Sequence, residues 1–509
     1  MSPAVFTINL FLLLGAFWSF LQIRAISRRK SLGRSPPGPP ALPIIGNLHK
    51  LGRLPHRSLH ALARKYGPIM SIKLGSVPVV VVSSPPAAEL FLRTHDNVFA
   101  SRPKTQAAEY LYYGTKGMGF TEYGPYWRSV RKLCTSELLS VAKVESYAGM
   151  RREEVGAMLR SLKAAAAAGE AVDVDRKVEE LVEDMTCRMV FGRKCDERFD
   201  LKGVIREDIA LAGAFNVADF VPLLAPLDLQ GLTRRVKKAS KVNDEILERI
   251  MDEHKQDAIA NQRQHRALID VLLSLAKKSS TNPDECSLSI DRTNAKAIVL
   301  DIILGSFDTS STAISWIMSE LLRHPRVMKK LQKELDRVVG QDRVVEETDL
   351  TNLKYLEMVI KESLRLHPVA PLLVPRESME DIDIMLGEDC YFIPKKSRII
   401  VNSWALGRDP EAWLENIEEF LPERFIDREV NLRGHHFELL PFGSGRRICP
   451  GMRSGLMTIQ LVVAQLVHCF DWALPDGILP EKLDMSEKFG LSLPRAEHLV
   501  AIPSYRLSN

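Results

Sequence analysis

Pro441-Phe442-Gly443-Ser444-Gly445-Arg446-Arg447-Ile448-Cys449-Pro450-Gly451 sets a lone cysteine between a glycine-rich loop and an apolar stretch. After Pro450, the residues Met452, Leu456, Ile459, Val463, Leu466 and Phe470 fall on one helical stripe, which places Cys449 at the helix N-terminus. Unpaired amides and the positive end of the helix dipole favour a thiolate there. Gly443, Gly445 and Gly451 let backbone approach a flat object closely, and Arg446 and Arg447 add fixed positive charge. The plainer alternative is that Cys449 is one more buried cysteine.

The stretch resembles the haem-binding signature of the cytochrome P-450 family, Phe-x-x-Gly-x-Arg-x-Cys-x-Gly, with Phe442, Gly445, Arg447, Cys449 and Gly451 at the specified positions. The resemblance implies a mainly α fold with small β-sheets, one large catalytic domain, and haem b whose iron takes Cys449 as its axial thiolate. A thiolate in that position pushes electron density towards O–O cleavage.

At 509 residues the chain shows no proline-, serine- or glycine-rich linker after residue 50, so one large domain is simpler than several. A net charge of +5, with no basic cluster interleaved with aromatics, does not suggest a nucleic-acid binder. Seven cysteines without a C-x-x-C pair argue against a disulfide framework and a structural zinc site.

Residues 1–23 contain no ionisable side chain, and Arg24, Arg28, Arg29, Lys30 and Arg34 follow at once. This reads as a transmembrane anchor with the bulk of the chain cytosolic. A cleaved signal peptide would carry its charges on the other side of the apolar run. Residues 24–45 are then a basic, proline-rich hinge, in which Pro36-Pro37-Gly38-Pro39-Pro40 forms a stiff spacer or a ligand for a partner domain. Residues 46–509 form the catalytic domain. The run resembles the hinge of microsomal family members, which implies single-pass attachment to the endoplasmic reticulum.

Ile69–Leu74 and Val77–Val82 read as a hairpin joined near Gly75. From Asn97 to Gly124 lies an irregular loop, which the resemblance places over the substrate pocket. Trp127 and Arg131 start a basic helix that would otherwise be a solvated face. They match the family's Trp-x-x-x-Arg, which binds a haem propionate.

From about Asn294 to Arg323 the pattern is one long apolar helix. Its acids and alcohols favour burial in protein over lipid. Gly305 and the alcohols around it can bend the helix. Asp308 is either a capped core acid or a proton relay, with the Thr309 hydroxyl holding water or an oxygen species. Gly305 to Ser310 resembles the family's oxygen-groove motif but has Ser306 where glycine is usual.

Glu362 and Arg365 stand three apart on a helix that ends before His367-Pro368, as a surface ion pair would. With Arg424 they resemble the family's Glu-x-x-Arg and Pro-Glu-Arg-Phe, implying a buried structural triad. Val369–Val374 reads as an apolar strand, Arg376 by resemblance reaches the second propionate, and Phe489–Ser492 dips into the pocket. Val299, Leu300, Ile303, Val369, Leu372, Leu373 and Leu491 line an apolar pocket or simply belong to the core.

These expectations describe a membrane-anchored haem-thiolate monooxygenase, most similar to plant microsomal members, that oxidises an apolar metabolite with O₂. In it Asp308 and Thr309 handle protons, while Trp127, Arg131, Arg376 and Arg447 hold the propionates. The chain has no flavin or nicotinamide fingerprint, so an NADPH-dependent flavoprotein reductase is implied, docking near Arg128, Lys132 and Arg446. A reductase-independent isomerase or dehydratase and a non-catalytic haem-binding protein are the alternatives.

Overall fold

The structure, a computed structural model, describes residues 33–195, 197–260, 267–281 and 290–508. The apolar run 1–23 and the basic residues 24–32 lie outside the described residues. Among the described residues eleven helices frame the site, beside a further long one at Leu268–Thr281. The eleven are α1 (Pro55–Tyr66), α2 (Pro125–Leu133), α3 (Ala148–Ala168), α4 (Val174–Phe191), α5 (Leu201–Gly213), α6 (Leu232–Ala260), α7 (Arg292–Phe307), α8 (Thr309–Arg323), α9 (Pro325–Val338), α10 (Lys354–Leu366) and α11 (Met452–Cys469).

The central apolar segment is the axis. Its N-terminal half, α7, packs with Tyr112, Val130, Leu247 and Ile250, and its C-terminal half, α8, with α10, α11 and α4. About 72% of its most apolar window is buried in protein, which accounts for its hydropathy without a bilayer. It is not one uninterrupted helix. Asp308 keeps right-handed but distorted backbone angles (φ −104°, ψ −27°) and separates α7 from α8. The Thr309 hydroxyl donates to Gly305 O at 2.8 Å, and the Ser311 hydroxyl to Phe307 O at 3.2 Å. Such back-bonding competes with the helical ladder and bends it.

β1 (Ile69–Leu74) and β2 (Val77–Val82) form the hairpin that the alternation requires, turning at Gly75. Two short strands, β3 (Val172–Asp173) and β4 (Arg376–Glu377), precede a separate hairpin of β5 (Ile382–Leu386) and β6 (Asp389–Ile393). β7 (Arg398–Val401) joins the first sheet, whose order is β1-β2-β7-β4. β8 (Phe470–Ala473) and β9 (Val500–Tyr505) form the third sheet with β3.

Three further expectations need correction. Val369–Val374 is a series of turns rather than a strand, because Pro368, Pro371 and Pro375 lack donors and constrain their neighbours, and Leu373 takes φ +47°. Cys187 and Cys195 are joined in a disulfide, with Cα atoms 5.3 Å apart. α4 ends at Gly192, in the left-handed region, and the chain turns back there, so two cysteines eight apart can meet without any C-x-x-C spacing. From Gly33 onward the proline-rich segment is no free spacer. Arg34 exchanges backbone hydrogen bonds with Cys390 and Phe392 of β6, Ser71 N donates to Pro37 O at 2.8 Å, and Asn47 bridges Pro40 O and Lys73 N. A Cβ at Gly38 would lie 1.8 Å from Ser71 O, so the strap lies flat on β1 only because glycine is there.

Candidate active site

The cysteine loop is built by its own backbone. Gly445–Arg447 makes a 3₁₀ turn, Cys449 N donates to Phe442 O at 2.9 Å, and the Ser444 hydroxyl donates to Gly434 O at 2.6 Å. Burial raises the Cys449 thiol, and the amides of Gly451 and Met452 together with Arg131 only partly offset this. The helix N-terminus therefore acts in the expected direction, but desolvation outweighs it. A thiolate here needs a bound cation, and a coordinating metal supplies that by deprotonating the thiol outright.

Across from the loop, most of α7 and α8 is buried, whereas Gly305 and Thr309 are exposed and Asp301 is partly so, at four-residue spacing along one face. A Cβ at Gly305 would meet nothing within 4 Å. That strip is the one exposed face of the two helices among the described residues. Of the seven apolar positions expected to line a pocket, Val299, Leu300 and Ile303 are wholly buried in the core. Val369, Leu372, Leu373 and Leu491 are half-buried.

Cations converge beside the loop. Trp127 Nε1 donates to Met118 O at 3.0 Å, and Arg131 Nη2 to Ile448 O at 2.7 Å. Arg447 donates to Ala100 O at 2.7 Å and Thr121 O at 2.5 Å and lies 4.1 Å over the Trp127 ring. Burial, then Arg376 and Arg131, push Arg447 down to about 9. Arg376 donates to Asp96 Oδ1 at 2.7 Å and to Ser444 O at 2.6 Å. Sequence reasoning missed Arg102, which is buried and donates to Gly119 O at 3.1 Å and Pro375 O at 2.8 Å. Burial and the nearby Arg447 and Arg376 lower it well below the ordinary arginine range. Its one signal was an arginine set between Ser101 and Pro103, directly after the apolar Val98-Phe99-Ala100. Four crowded guanidiniums with a single paired carboxylate, Asp96, suit a dianionic group such as haem with its two propionates.

Asp301, also missed, accepts the Met118 and Gly119 amides and so ties the covering loop to α7. Burial pushes it up to about 6 against those amides. Asp308 and Thr309 point apart. Burial raises Asp308, and hydroxyl bonds to Ser492 and Thr312 pull the other way. Asp308 lines a cleft of about 460 Å³ of mixed lining, shared with Asp175, Arg206, Lys488 and Arg495 and with Ile209, Phe489 and Leu491.

Behind the site, Glu362 and Arg365 are wholly buried. Arg365 makes a two-pronged pair with Glu362 at 2.8 Å and donates to Gly407 O and Ile417 O, both at 2.7 Å. Arg424 Nε meets Glu362 at 2.8 Å. The three form one network.

A family description, cytochrome P-450, matches residues 36–501. The chain belongs to the cytochrome P-450 family. This P-450 is 61% identical over 499 residues to cytochrome P-450 CYP736A12 of Panax ginseng, covering 98% of both chains. It is 44% identical over 456 residues to cytochrome P-450 71A1 of Persea americana, covering 88% of this chain and 89% of the relative. It is 42% identical over 488 residues to the desmethyl-deoxy-podophyllotoxin synthase of Sinopodophyllum hexandrum, covering 94% and 93%. The P-450 is accordingly a haem-thiolate monooxygenase of plant secondary metabolism, using O₂ and electrons from a redox partner.

Proposed function

We propose that Cys449 is the haem ligand and that Arg102, Arg131, Arg447 and Trp127 hold the propionates, with Arg376 contributing through its pairing with Asp96. The observation that carries this is the convergence of those donors on the loop that presents Cys449. Haem, when bound, supplies the iron that activates O₂. The chain's own part is to admit protons and exclude bulk water. Asp308 holds a proton at its carboxyl, fed from the cleft through the Ser492 hydroxyl, and Thr309 presents an exposed hydroxyl bonded to Gly305 O. Glu362, Arg365 and Arg424 brace the segment behind the loop. The test is the CO difference spectrum of the dithionite-reduced protein. The wild type should show the band diagnostic of sulfur ligation and Cys449→Ala should lose it; a variant that keeps it overturns the assignment.

The substrate is an apolar metabolite entering past Val369, Leu372, Leu373 and Leu491. Electrons come from a membrane-bound NADPH-dependent flavoprotein reductase docking where Arg128, Lys132 and Arg446 are exposed. Charge reversal at Arg128 and Lys132 should slow reduction and flatten its salt dependence; unchanged rates place docking elsewhere.

Residues 1–23 anchor the chain in the endoplasmic reticulum membrane, and residues 46–509 are the cytosolic catalytic domain. An apolar patch supports this. Leu42 and Ile44 on the strap, 73% exposed at Ile44, and Leu223, 90% exposed, belong to two segments that both bond to the β1–β2 turn, Gly75 N donating to Ile45 O and Ser76 N to Phe220 O. Deleting residues 1–23 should release protein to low-affinity, salt-insensitive membrane binding; undiminished integral association refutes the anchor.

A further inference from the structure

Asp96 is an acid that no motif points to. It follows the π-helical turn Leu90–Thr94 and is 4% exposed. Its Oδ1 accepts Arg376 Nη1 at 2.7 Å, while Oδ2 accepts both the backbone amide and Nη1 of Arg446, at 2.9 and 3.0 Å. Arg376 is buried and faces the loop that carries Cys449. The Arg446 side chain is 46% exposed. Gly445 takes φ +68°, and a Cβ there would lie 2.3 Å from Leu92 O and 2.6 Å from Asp96 Oδ1, so the loop is pressed onto this carboxylate.

We propose that Asp96 is a positioning residue that couples the docking face to the cofactor site, one carboxylate being shared by an inward cation and an outward one. The inference rests on the proposed roles of Cys449 and of the face bearing Arg446. Among the described residues Asp96 is the only carboxylate ion-paired with any of Arg102, Arg131, Arg376, Arg446 and Arg447. An acidic partner that draws the Arg446 side chain away leaves the amide of Arg446 on Oδ2, so the loop stays seated. It also strips compensating charge from the carboxylate serving Arg376. Docking is thereby felt at the cofactor without movement of the loop, and by linkage reduction of the cofactor alters affinity for the partner.

The experiment is a dye-coupled redox titration of the full-length, haem-loaded protein. Asp96→Asn should move the midpoint upward, since a negative charge is lost near a centre that takes up an electron, and Arg446→Gln should move it downward. In the double variant the Arg446→Gln shift should largely vanish, because that arginine acts through Asp96. A double-variant shift equal to the sum of the singles overturns the proposal. Where Asp96→Asn fails to retain haem, Arg446→Gln decides alone. Its shift should persist at about 0.5 M salt, where the screening length is only ~4 Å, because the carboxylate it leaves is buried. A shift abolished by that salt is a surface effect and overturns the coupling. Absence of the thiolate band in the wild type would instead overturn the cofactor assignment.

Discussion

Replacing Arg365 by alanine should prevent the folded protein from accumulating. Arg365 is wholly buried and donates twice to Glu362 and once each to Gly407 O, Ile417 O and Glu419 O. Removing one partner of a buried pair costs about 3–5 kcal/mol. Glu419 O keeps a bond from Arg424, but Gly407 O and Ile417 O lose this donor, at about 1–3 kcal/mol each. The sum is at most about 5–11 kcal/mol, since Glu362 keeps Arg424 Nε at 2.8 Å, and it still rivals the stability of a typical domain, about 5–15 kcal/mol. Arg365→Lys keeps the charge and one bond to Glu362 but not the fork, so it should fold with a lowered unfolding midpoint. The assay is soluble yield and thermal unfolding of wild type, Arg365→Lys and Arg365→Ala expressed in parallel. An Arg365→Ala protein melting within a few degrees of wild type, where each kcal/mol shifts the midpoint by about 2–4 °C or less in a large domain, would refute the reasoning.

Thr309→Ala should retain the thiolate CO band while a larger share of NADPH oxidation ends in peroxide rather than product; unchanged coupling removes Thr309 from proton handling. Asp301→Ala should speed amide exchange at Met118 and Gly119 and weaken spectral binding of substrate, while Asp301→Asn, with one acceptor oxygen left, should do so less. The pH dependence has a definite sign at Glu320. Burial alone would raise it, but His324 and His367 bring it down to about 2 from 4.5. That is worth about 3 kcal/mol above pH ~4.5 and is lost as pH falls from there towards ~2. The melting difference between wild type and Glu320→Gln should therefore be greatest from about pH 5 up to the range in which His324, raised by Glu320, still holds its proton, and should shrink both below pH 5 and above that range; a gap that widens as pH falls below 5 contradicts the assignment.

Local signals were legible where one short segment carries the whole instruction. The cysteine loop, the β1–β2 hairpin, the end of α3 at Gly169 and the end of α10 before Pro368 all declare themselves through turn residues or periodicity. So did the bend in the central helix, though not that Asp308 itself would divide it. What stayed hidden depends on distant or backbone partners. Asp96 meets residues some 280 and 350 positions away, and Asp301 bonds only to main-chain amides, which have no spelling in the sequence. Arg102 looked like any arginine because its acceptors are carbonyls. The apolar stripe of α7 could not be divided between core and cavity by hydropathy alone, since both demand the same residue types; only the accessible Gly305 and Thr309 mark the boundary.

The stitching of Gly33–Asn47 onto β1 and β6 has a mechanical meaning. With residues 1–23 held in a bilayer, as proposed, the leash is the nine residues 24–32, which span about 30 Å fully drawn out. Its lower end is pinned at Arg34 rather than swivelling at the prolines. An anchor at residues 1–23 would therefore hold the globule at Arg34, within the contour length of those nine positions. Lengthening them with Gly/Ser repeats should penalise turnover of lipid-dissolved substrates while sparing water-soluble ones.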